Sequence, residues 1–251
     1  MFSECDLTCD GFLDGRLRLW QPRKGYRAGS DPVFLAAAVP ALAGQSVLEL
    51  GCGAGAAALC LGWRVRGVRL TGVERQPAYA ALARRNAAEN GIPLEVVQAD
   101  LAALPDDLRA RSFDHVIANP PYLEPGRGTA AGDSTKEQAF REETPLSMWI
   151  DVATRRLAPG GWLTMILRAS RLAALLRQVD ARLGSISVLP LAGRQGAAAG
   201  RILLRARKGG RGEFRLLAPI VLHEGATHTH DGDSYAATAQ GVLRDGKPLE
   251  F

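Results

Sequence analysis

The sequence predicts an α/β protein built on a Rossmann-like sheet of seven mostly parallel strands, with helices on both faces and a closing antiparallel strand pair. Short β-rich segments alternate with longer helical segments between residues 46 and 205, and such alternation is typical of a parallel sheet. The chain has 251 residues, of which 47% are hydrophobic, so it can bury a sizeable core. It contains no internal repeat and no linker that would separate a second domain.

Turn-forming residues and apolar patterns define the individual elements. The predicted strands are 46–50, 69–74, 94–98, 113–118, 162–167, 186–191 and 201–205, the last two forming the antiparallel pair. The predicted helices are 33–42, an Ala-rich helix after residue 55, 76–90, 146–157 and 169–183. Ser30-Asp31-Pro32 marks the start of the first helix because Pro is favoured in a first turn. Gly91 is a C-terminal glycine after the third helix, and Pro159-Gly160-Gly161 ends the fourth.

One long segment, 123–144, has no hydrophobic period and is rich in Gly and charged residues. Loops longer than about 12 to 15 residues beside a sheet are often lids or binding loops. We therefore expect this segment to be a mobile loop.

The composition favours a cytoplasmic protein. The nearly uncharged stretch 32–47 contains Pro and Gly and falls short of the roughly 20 apolar residues that a membrane span needs. Residues 1–10 include three acids and no basic residue, which argues against a secretory signal. Four cysteines are too few for a disulfide framework in a chain of this size. We expect a reducing compartment and no membrane partner, and the sequence leaves the oligomeric state open.

Positive charge is concentrated in two parts of the chain. Residues 151–215 contain thirteen Lys and Arg but three acids, and residues 16–27 carry basic side chains without any acid. Such runs are commonly solvated faces, and their clustering also fits a nucleic-acid footprint. The second interpretation predicts that the two basic runs form a surface around the mouth of a binding pocket, where Arg205, Arg207, Lys208 and Arg211 are among the residues that contact RNA phosphates.

A glycine-rich turn follows the first predicted core strand directly. Gly51, Gly53 and Gly55 alternate with other residues there, and glycines allow a backbone to approach a ligand while the next helix offers its N–H groups. The spacing differs from the dinucleotide fingerprint G-x-G-x-x-G. Glu49, two residues before the first glycine, could meet a cationic ligand group.

Two further acids end neighbouring strands. Glu74 ends the second strand and Asp100 follows the third, and the carboxyl ends of parallel strands share one ligand-binding edge. Glu74 could accept from both hydroxyls of a ribose, and Asp100 could accept from an adenine amino group. Each acid alone is more often a helix cap or a solvated residue. Together with Glu49 they predict a nucleoside site.

Asn119-Pro120-Pro121-Tyr122 follows the fourth predicted strand. Two prolines cannot donate to a sheet, so the strand stops and its last carbonyls stay available. The Asn119 side-chain oxygen and the Pro120 carbonyl could accept from both hydrogens of an NH₂ group, and Tyr122 could stack on a planar base. A plain proline turn explains the four residues but not their position at the ligand edge.

These motifs, from about residue 26 to residue 167, resemble those of class I S-adenosylmethionine-dependent methyltransferases with the N-P-P-Y signature. The resemblance implies that the glycine turn and Glu49 hold the methionine part of the cofactor, Glu74 the ribose and Asp100 the adenine. It also implies that Asn119 and Pro120 hold the amino group being methylated, with Asn119 touching the cofactor peripherally. The chain would then be a single methyltransferase domain, with a basic N-terminal segment and lead-in helix in 1–44 and the catalytic core in 45–251.

Residues 25–32 are similar to the G-T-D segment of bacterial tRNA(Val) adenine-N6 methyltransferases, with Ser30 where that family has Thr. The similarity implies methyl transfer to the N6 amine of an adenine in RNA, with tRNA as partner. Asp31 would border the cofactor, although it could simply cap the following helix.

Three alternatives stay open. The chain could methylate a protein glutamine at N5, although that family carries an extra helical domain before the glycine turn, or it could methylate guanine N2 in RNA. A third alternative is a nucleic-acid-binding module with a vestigial cofactor pocket. We predict no metal site, because the cluster His223, His228, His230, Asp231 and Asp233 matches no zinc spacing.

Overall fold

A mostly parallel sheet lies at the centre of the computed structural model, which describes residues 2–121, 144–225 and 234–251. The strands of the described residues are β1 (Leu7–Phe12), β2 (Leu17–Pro22), β3 (Ser46–Leu50), β4 (Arg69–Glu74), β5 (Leu94–Gln98), β6 (Phe113–Ala118), β7 (Leu157–Arg168), β8 (Leu183–Ala192), β9 (Ala199–Lys208), β10 (Arg215–Leu216) and β11 (Ile220–Val221). Within this part of the chain, β3 to β11 form one nine-stranded sheet and β1 pairs with β2 as a separate hairpin.

The sheet confirms the predicted class. Its order is β10-β8-β9-β7-β6-β3-β4-β5, with β11 also on β8. The strand β9 is antiparallel to both β7 and β8, and every other pairing in this sheet is parallel. All seven predicted strands are present. Two strands of two residues each extend the sheet, because the chain after β9 returns along the outer edge of β8.

The N-terminal hairpin β1–β2 was not predicted. Residues 16–27 were interpreted as a basic segment, whereas Leu17 and Leu19 of β2 are buried and the basic residues between and before them are exposed. The turn has positive φ at Leu13 and Asp14, which is uncommon for residues other than Gly. Asp14-Gly15 lies at the centre of the loop between the two strands, and an Asp-Gly pair between two strands is a hairpin signal, so the local sequence does carry a signal for this turn.

Seven helices are present among the described residues: α1 (Asp31–Ala38), α2 (Ala56–Arg64), α3 (Pro77–Glu89), α4 (Asp106–Arg109), α5 (Leu146–Arg156), α6 (Leu172–Gln178) and α7 (Ala237–Leu243), with 3₁₀ turns at Glu4–Asp6, Leu101–Ala103 and Ala169–Arg171. The helix predicted over 169–183 is shorter because Leu183 is buried and already belongs to β8. The turn expected at Pro159-Gly160-Gly161 lies within β7, where the pairing with β6 shifts register.

Helices cover both faces of the sheet, as predicted. Val47 and Ile117 belong to the core shared with α1, α2, α7 and the hairpin, whereas Leu48 and Val116 face α5 and α6 on the other side. This alternation along β3 and β6 follows from the two-residue period of a strand. Burying each Leu-sized side chain contributes roughly 1.5 to 3 kcal/mol, so both helical layers stabilise the sheet.

No helix in the described ranges is long and apolar enough to cross a membrane. The carboxyl ends of β3, β4, β5 and β6 meet at one edge of the sheet. Gln21 at the end of β2, and Tyr26 and Ala28 after the hairpin, lie at that edge. The expected mobile loop lies outside the described residues except for its last residue, Thr144.

Candidate functional site

A cleft opens at the carboxyl edge of the sheet. Seven of the predicted site residues line it: Glu49, Gly51, Gly53, Glu74, Asp100, Asn119 and Pro120. Further walls come from Tyr26 of the N-terminal segment, from Tyr79 of α3 and from Trp149 of α5. Strands that are far apart in sequence therefore bring their terminal residues to one place, as the parallel arrangement predicts.

The glycine turn forms the floor of the cleft. Gly51 has φ +64° and Gly53 has φ +53°, in the left-handed region that favours glycine. A Cβ on Gly51 would lie 2.6 Å from Cη2 of Trp149, so no side chain fits there. Gly55 is the residue before α2, with φ +87°, and packs toward Leu94. It shapes the turn without lining the cleft.

Glu49 is a buried carboxyl, 4% exposed, at the end of β3. Its Oε2 accepts from the backbone N–H of Ala58 in the first turn of α2, at 2.9 Å. Burial and the nearby charge of Glu74 together raise the pKa of Glu49 to about 8, although the hydrogen bond from the Ala58 N–H acts in the opposite direction. A cationic ligand group in the cleft would favour the ionised form of this carboxyl.

Glu74 joins β4 to the glycine turn. Its two carboxylate oxygens accept from the backbone N–H of Gly53 at 2.9 Å and of Gln76 at 2.8 Å. Burial raises the pKa of Glu74, while these N–H donors act in the opposite direction. Each carboxylate oxygen has a second lone pair, so the group can hold the turn and also accept from ligand hydroxyls.

Asp100 caps a short turn and also lies on the cleft wall. Its Oδ1 accepts from the N–H of Ala102 at 2.9 Å and caps the turn Leu101–Ala103, while Oδ2 lies 3.8 Å from Nη1 of Arg75. The side chain is also on the wall of the cleft and is 38% exposed. Capping therefore fixes the carboxylate at a position where a ligand can reach its second oxygen.

Asn119 ends β6, since Pro120 cannot donate to a neighbouring strand. Its Nδ2 donates to Oη of Tyr26 at 3.3 Å, and the carbonyl of Pro121 accepts from Nη1 of Arg171 at 3.2 Å. Tyr122, the predicted stacking residue, lies outside the described residues. The two acceptors proposed for an amino group, at Asn119 and Pro120, both lie on the cleft wall.

Asp31 lies beside the cleft rather than on its wall. It is the first residue of α1, and its Oδ2 forms an ion pair with Nε of Arg201 at 2.8 Å. Its neighbour Pro32 lines the cleft. The predicted contact with a cofactor thus has no support from the geometry of the cleft, and the carboxylate links α1 to β9.

Sequence reasoning missed Tyr26 and Trp149. Tyr26 lies in the segment similar to the G-T-D region but was given no role, and its hydroxyl meets Asn119 from 93 positions earlier in the chain. Trp149 lies within the predicted helix 146–157, and its ring closes the space above Gly51. An aromatic residue beside a glycine motif was the available signal for Tyr26; the sequence holds none for Trp149.

Arg207 and Lys208, two of the four basic residues expected at the pocket mouth, lie toward the opposite edge of the sheet. Because β9 is antiparallel to β7, its last residues pair with the start of β7, as Arg207 does with Trp162. The guanidinium of Arg205 lies over the ring of Trp162, Nε of Arg207 donates to the Gly160 carbonyl, and Nζ of Lys208 donates to the Leu157 carbonyl. The expected placement of Arg207 and Lys208 near the mouth was wrong.

Other basic residues lie at the cleft edge. Arg168 ends β7, pairs in register with Arg201 at the start of β9, and is followed by Arg171, which contacts the carbonyl of Pro121. Arg23 and Lys24 are exposed just before Tyr26. Both basic runs of the sequence therefore place positive charge beside the cleft, although Arg207 and Lys208 of the second run lie elsewhere.

Within the described ranges, no group of three or more His, Cys, Asp or Glu is arranged to hold a metal ion. Of the His/Asp cluster, His223 alone is described, and its ring stacks on Tyr235 with centroids 4.9 Å apart. The remaining members of the cluster lie outside the described residues.

A family model described as methyltransferase small domain matches residues 28–181. A tRNA1(Val) (adenine(37)-N6)-methyltransferase from Porphyromonas gingivalis is 34% identical over 66% of this chain and 66% of its own length. A protein of the same name from Dickeya chrysanthemi is 28% identical over 95% of this chain and 94% of its own length. A solved structure from Agrobacterium tumefaciens, described as a predicted O-methyltransferase, matches with a TM-score of 0.70 and 26% identity, over 88% of this chain and 98% of that one.

Proposed function

Because the chain belongs to the methyltransferase small domain family and uses S-adenosylmethionine as its cofactor, we propose that it methylates the N6 amine of an adenine in tRNA. The observation that carries the proposal is Asn119-Pro120 on the wall of a cleft that also holds three strand-end acids. The relatives from Porphyromonas gingivalis and Dickeya chrysanthemi are named for this reaction, which supports the choice of substrate.

The residues of the cleft fit this cofactor. Among the described residues that line it, Glu49, Glu74 and Asp100 carry acidic groups and Arg75 is the one cation, which suits a ligand with positive charge. In our proposal Glu49 and the glycine turn hold the methionine part, Glu74 the ribose hydroxyls and Asp100 the adenine amino group. When bound, S-adenosylmethionine supplies an electrophilic methyl group on its sulfonium sulfur.

The chain's own residues prepare the amine to react. The lone pair of an aryl amine is delocalised into its ring, so acceptors on both N–H bonds favour a pyramidal and more nucleophilic nitrogen. Asn119 Oδ1 and the Pro120 carbonyl supply these two acceptors in the proposed arrangement. Tyr122 would provide the stacking surface for the base. Positioning and preorganised dipoles then account for most of the acceleration, without a covalent enzyme intermediate.

Charge at the cleft edge supports an RNA substrate. Arg168 and Arg201 lie on the β7–β9 side, where Arg171 is buried, and Arg23 and Lys24 lie on the side of the N-terminal segment. Lys and Arg contacts to phosphates supply much of the affinity for nucleic acid. A cytoplasmic location follows from tRNA as substrate and accords with four free cysteines.

Product identification tests the proposal. The protein is incubated with unmodified total tRNA and methyl-labelled S-adenosylmethionine, the RNA is digested, and the labelled nucleoside is identified. N6-methyladenosine is the expected product. Label in N2-methylguanosine would replace adenine N6 by guanine N2 as the methylated group. Transfer to a glutamine of a release factor would replace RNA by a protein as the substrate. Binding of tRNA without any transfer would favour a module with a vestigial pocket.

A further inference from the structure

The N-terminal segment supplies a contact to the proposed amine-binding residue. Tyr26 lies before residue 28, where the family model begins, and its Oη accepts from Nδ2 of Asn119 at 3.3 Å. A carboxamide has a donor end and an acceptor end, and rotation of its last torsion exchanges them at low cost. The contact with Tyr26 therefore bears on which end of Asn119 faces the cleft.

The charge state of Tyr26 suits this contact. Burial, together with the nearby acids Asp31 and Glu49, raises the pKa of the Tyr26 hydroxyl. The hydroxyl therefore stays neutral, with a proton to donate and lone pairs to accept from Nδ2. Because the Asn119 amide nitrogen is turned toward Tyr26, the Asn119 carboxamide oxygen points away from Tyr26.

Tyr26 is itself held in place by its surroundings. Oη of Tyr79 donates to the Tyr26 carbonyl at 3.0 Å, and the Tyr26 ring packs with Leu7, Ala54 and Tyr79. A Cβ on Gly53 would meet the Tyr26 ring at 3.8 Å, so the ring lies against the glycine turn. These contacts fix the hydroxyl relative to both the turn and the end of β6.

The hairpin anchors the chain on the other side of Tyr26. The backbone N–H of Ala28 donates to Oε1 of Gln21 at 2.7 Å, and Nε2 of Gln21 donates to Oδ2 of Asp10 at 2.8 Å. Arg27 also contacts Oδ2 of Asp10, at 2.6 Å. Gln21 is 2% exposed, so its side chain is a buried link between β2 and residue 28, whereas the Arg27–Asp10 ion pair lies at the surface.

We propose that Tyr26 is a positioning residue whose hydroxyl binds the Asn119 amide nitrogen and so directs the carboxamide oxygen toward the substrate amine. The inference rests on the proposed function, since it concerns the amine that Asn119 is proposed to bind. The hairpin β1–β2, which precedes the family model, thereby contributes to the reaction by holding Tyr26.

The first test replaces the hydroxyl while keeping the ring. Tyr26→Phe should lower kcat about 10- to 100-fold, the range expected when a reacting group is misplaced. KM for tRNA and Kd for S-adenosylmethionine should change less than about two-fold. Tyr79→Phe, which loosens the same backbone segment but does not touch Asn119, should cost several-fold less. Equal losses in the two variants, or an unchanged kcat in Tyr26→Phe, would overturn the proposal.

A double substitution tests whether Tyr26 acts through residue 119. In Asn119→Asp both ends of the side chain are oxygens, so orientation by Tyr26 becomes redundant. Adding Tyr26→Phe to Asn119→Asp should then lower kcat less than about two-fold, whereas independent action would give the full loss again.

An NMR measurement separates this inference from the proposed function. The side-chain amide signals of Asn119, identified by their loss in Asn119→Ala, should shift and exchange faster with water in Tyr26→Phe. Unchanged signals in Tyr26→Phe would refute the positioning role whatever the substrate. If the Asn119 amide signals change in Tyr26→Phe but the wild-type protein methylates no tRNA, the Tyr26–Asn119 hydrogen bond is supported and the proposed tRNA substrate is refuted.

Discussion

The two ends of β9 use the same residue type for different purposes. Arg201 at its start lies at the cleft edge beside Arg168 and pairs with Asp31, whereas Arg207 and Lys208 at its end bond to backbone carbonyls of 157–160. Both ends contribute to one basic run in the sequence. The difference teaches that local charge density does not locate a binding surface, because the direction of the strand decides which arginines reach the cleft.

The largest expected effect concerns the cleft end of β6. Asn119→Ala should lower kcat at least about 100-fold, because it removes an acceptor aimed at the reacting amine, while the Kd for S-adenosylmethionine stays within about two-fold. Single-turnover methylation of tRNA and calorimetry measure the two quantities. Normal methylation by Asn119→Ala would contradict the assignment of Asn119 as an acceptor for the reacting amine.

Glu74→Ala, unlike Asn119→Ala, should act mainly on the affinity for S-adenosylmethionine. It removes acceptors for the ribose and also releases the N–H of Gly53, so cofactor binding should weaken by about 1 to 3 kcal/mol. Calorimetric titration with S-adenosylmethionine measures the change. Glu95→Ala, on the adjacent strand β5 and paired with Arg111 away from the cleft, is the control. Equal cofactor affinity in the two variants would contradict the proposed ribose contact.

The glycine turn can be tested with a matched pair of glycines. Gly51 and Gly91 have φ of +64° and +61°, but a Cβ on Gly51 would meet Trp149 at 2.6 Å whereas nothing lies within 4 Å of one on Gly91. Both Ala variants carry the backbone cost of about 1 kcal/mol. Gly51→Ala should lose a further 1 to 3 kcal/mol, as expected from overpacking, in chemical unfolding. Equal losses of unfolding free energy in Gly51→Ala and Gly91→Ala would show that the Trp149 ring can move aside without an energetic penalty.

The ends of β9 can be compared directly by salt dependence. Replacing Arg168 and Arg201 with Ser should weaken tRNA binding and flatten the log-log salt dependence by about 0.7 to 0.9 per lost phosphate contact. Replacing Arg207 and Lys208 with Ser should leave that slope unchanged, since both lie at the opposite edge. Filter binding over a salt series measures the slopes. A flatter salt dependence in the Arg207 and Lys208 variant, with an unchanged slope in the Arg168 and Arg201 variant, would instead place the RNA-binding surface at the end of β9.

The last comparison concerns the pH dependence of stability. Burial raises the pKa of Glu49 to about 8, so the folded protein keeps a proton that the unfolded chain loses from about pH 4.5 upward. This contribution to stability is present below about pH 4.5 and is lost as pH rises through 8. Without cofactor, Glu49→Gln should therefore gain thermal stability relative to wild type between pH 5 and 8.

Glu95→Gln provides the control of opposite sign for this pH test. Hydrogen bonding to Arg111 lowers the pKa of Glu95, so its contribution is present at neutral pH and lost in acid. Thermal unfolding from pH 4 to 8 compares the two variants. A difference between Glu49→Gln and wild type that stays constant across this range would contradict the raised pKa.

Local sequence was sufficient for much of the fold. The strand segments, the glycine turn and the strand break at Pro120 depend on side-chain period, backbone freedom and a missing N–H, which are properties of neighbouring residues. The order of Glu49, Glu74 and Asp100 along successive strands then implied one ligand edge. The hairpin β1–β2 is an exception, because its local signal, Asp14-Gly15 at the centre of the loop, is masked by the basic residues of 16–27, which favour a charged segment.

What the sequence by itself determined is the parallel sheet with its glycine turn and the acids at its strand ends. Tertiary structure alone decided that Tyr26 meets Asn119, that Trp149 covers Gly51, and that the basic end of β9 lies away from the cleft. The physical reason is that local residues set the conformation of a segment, whereas contacts between distant segments depend on strand direction and on how the layers pack against each other.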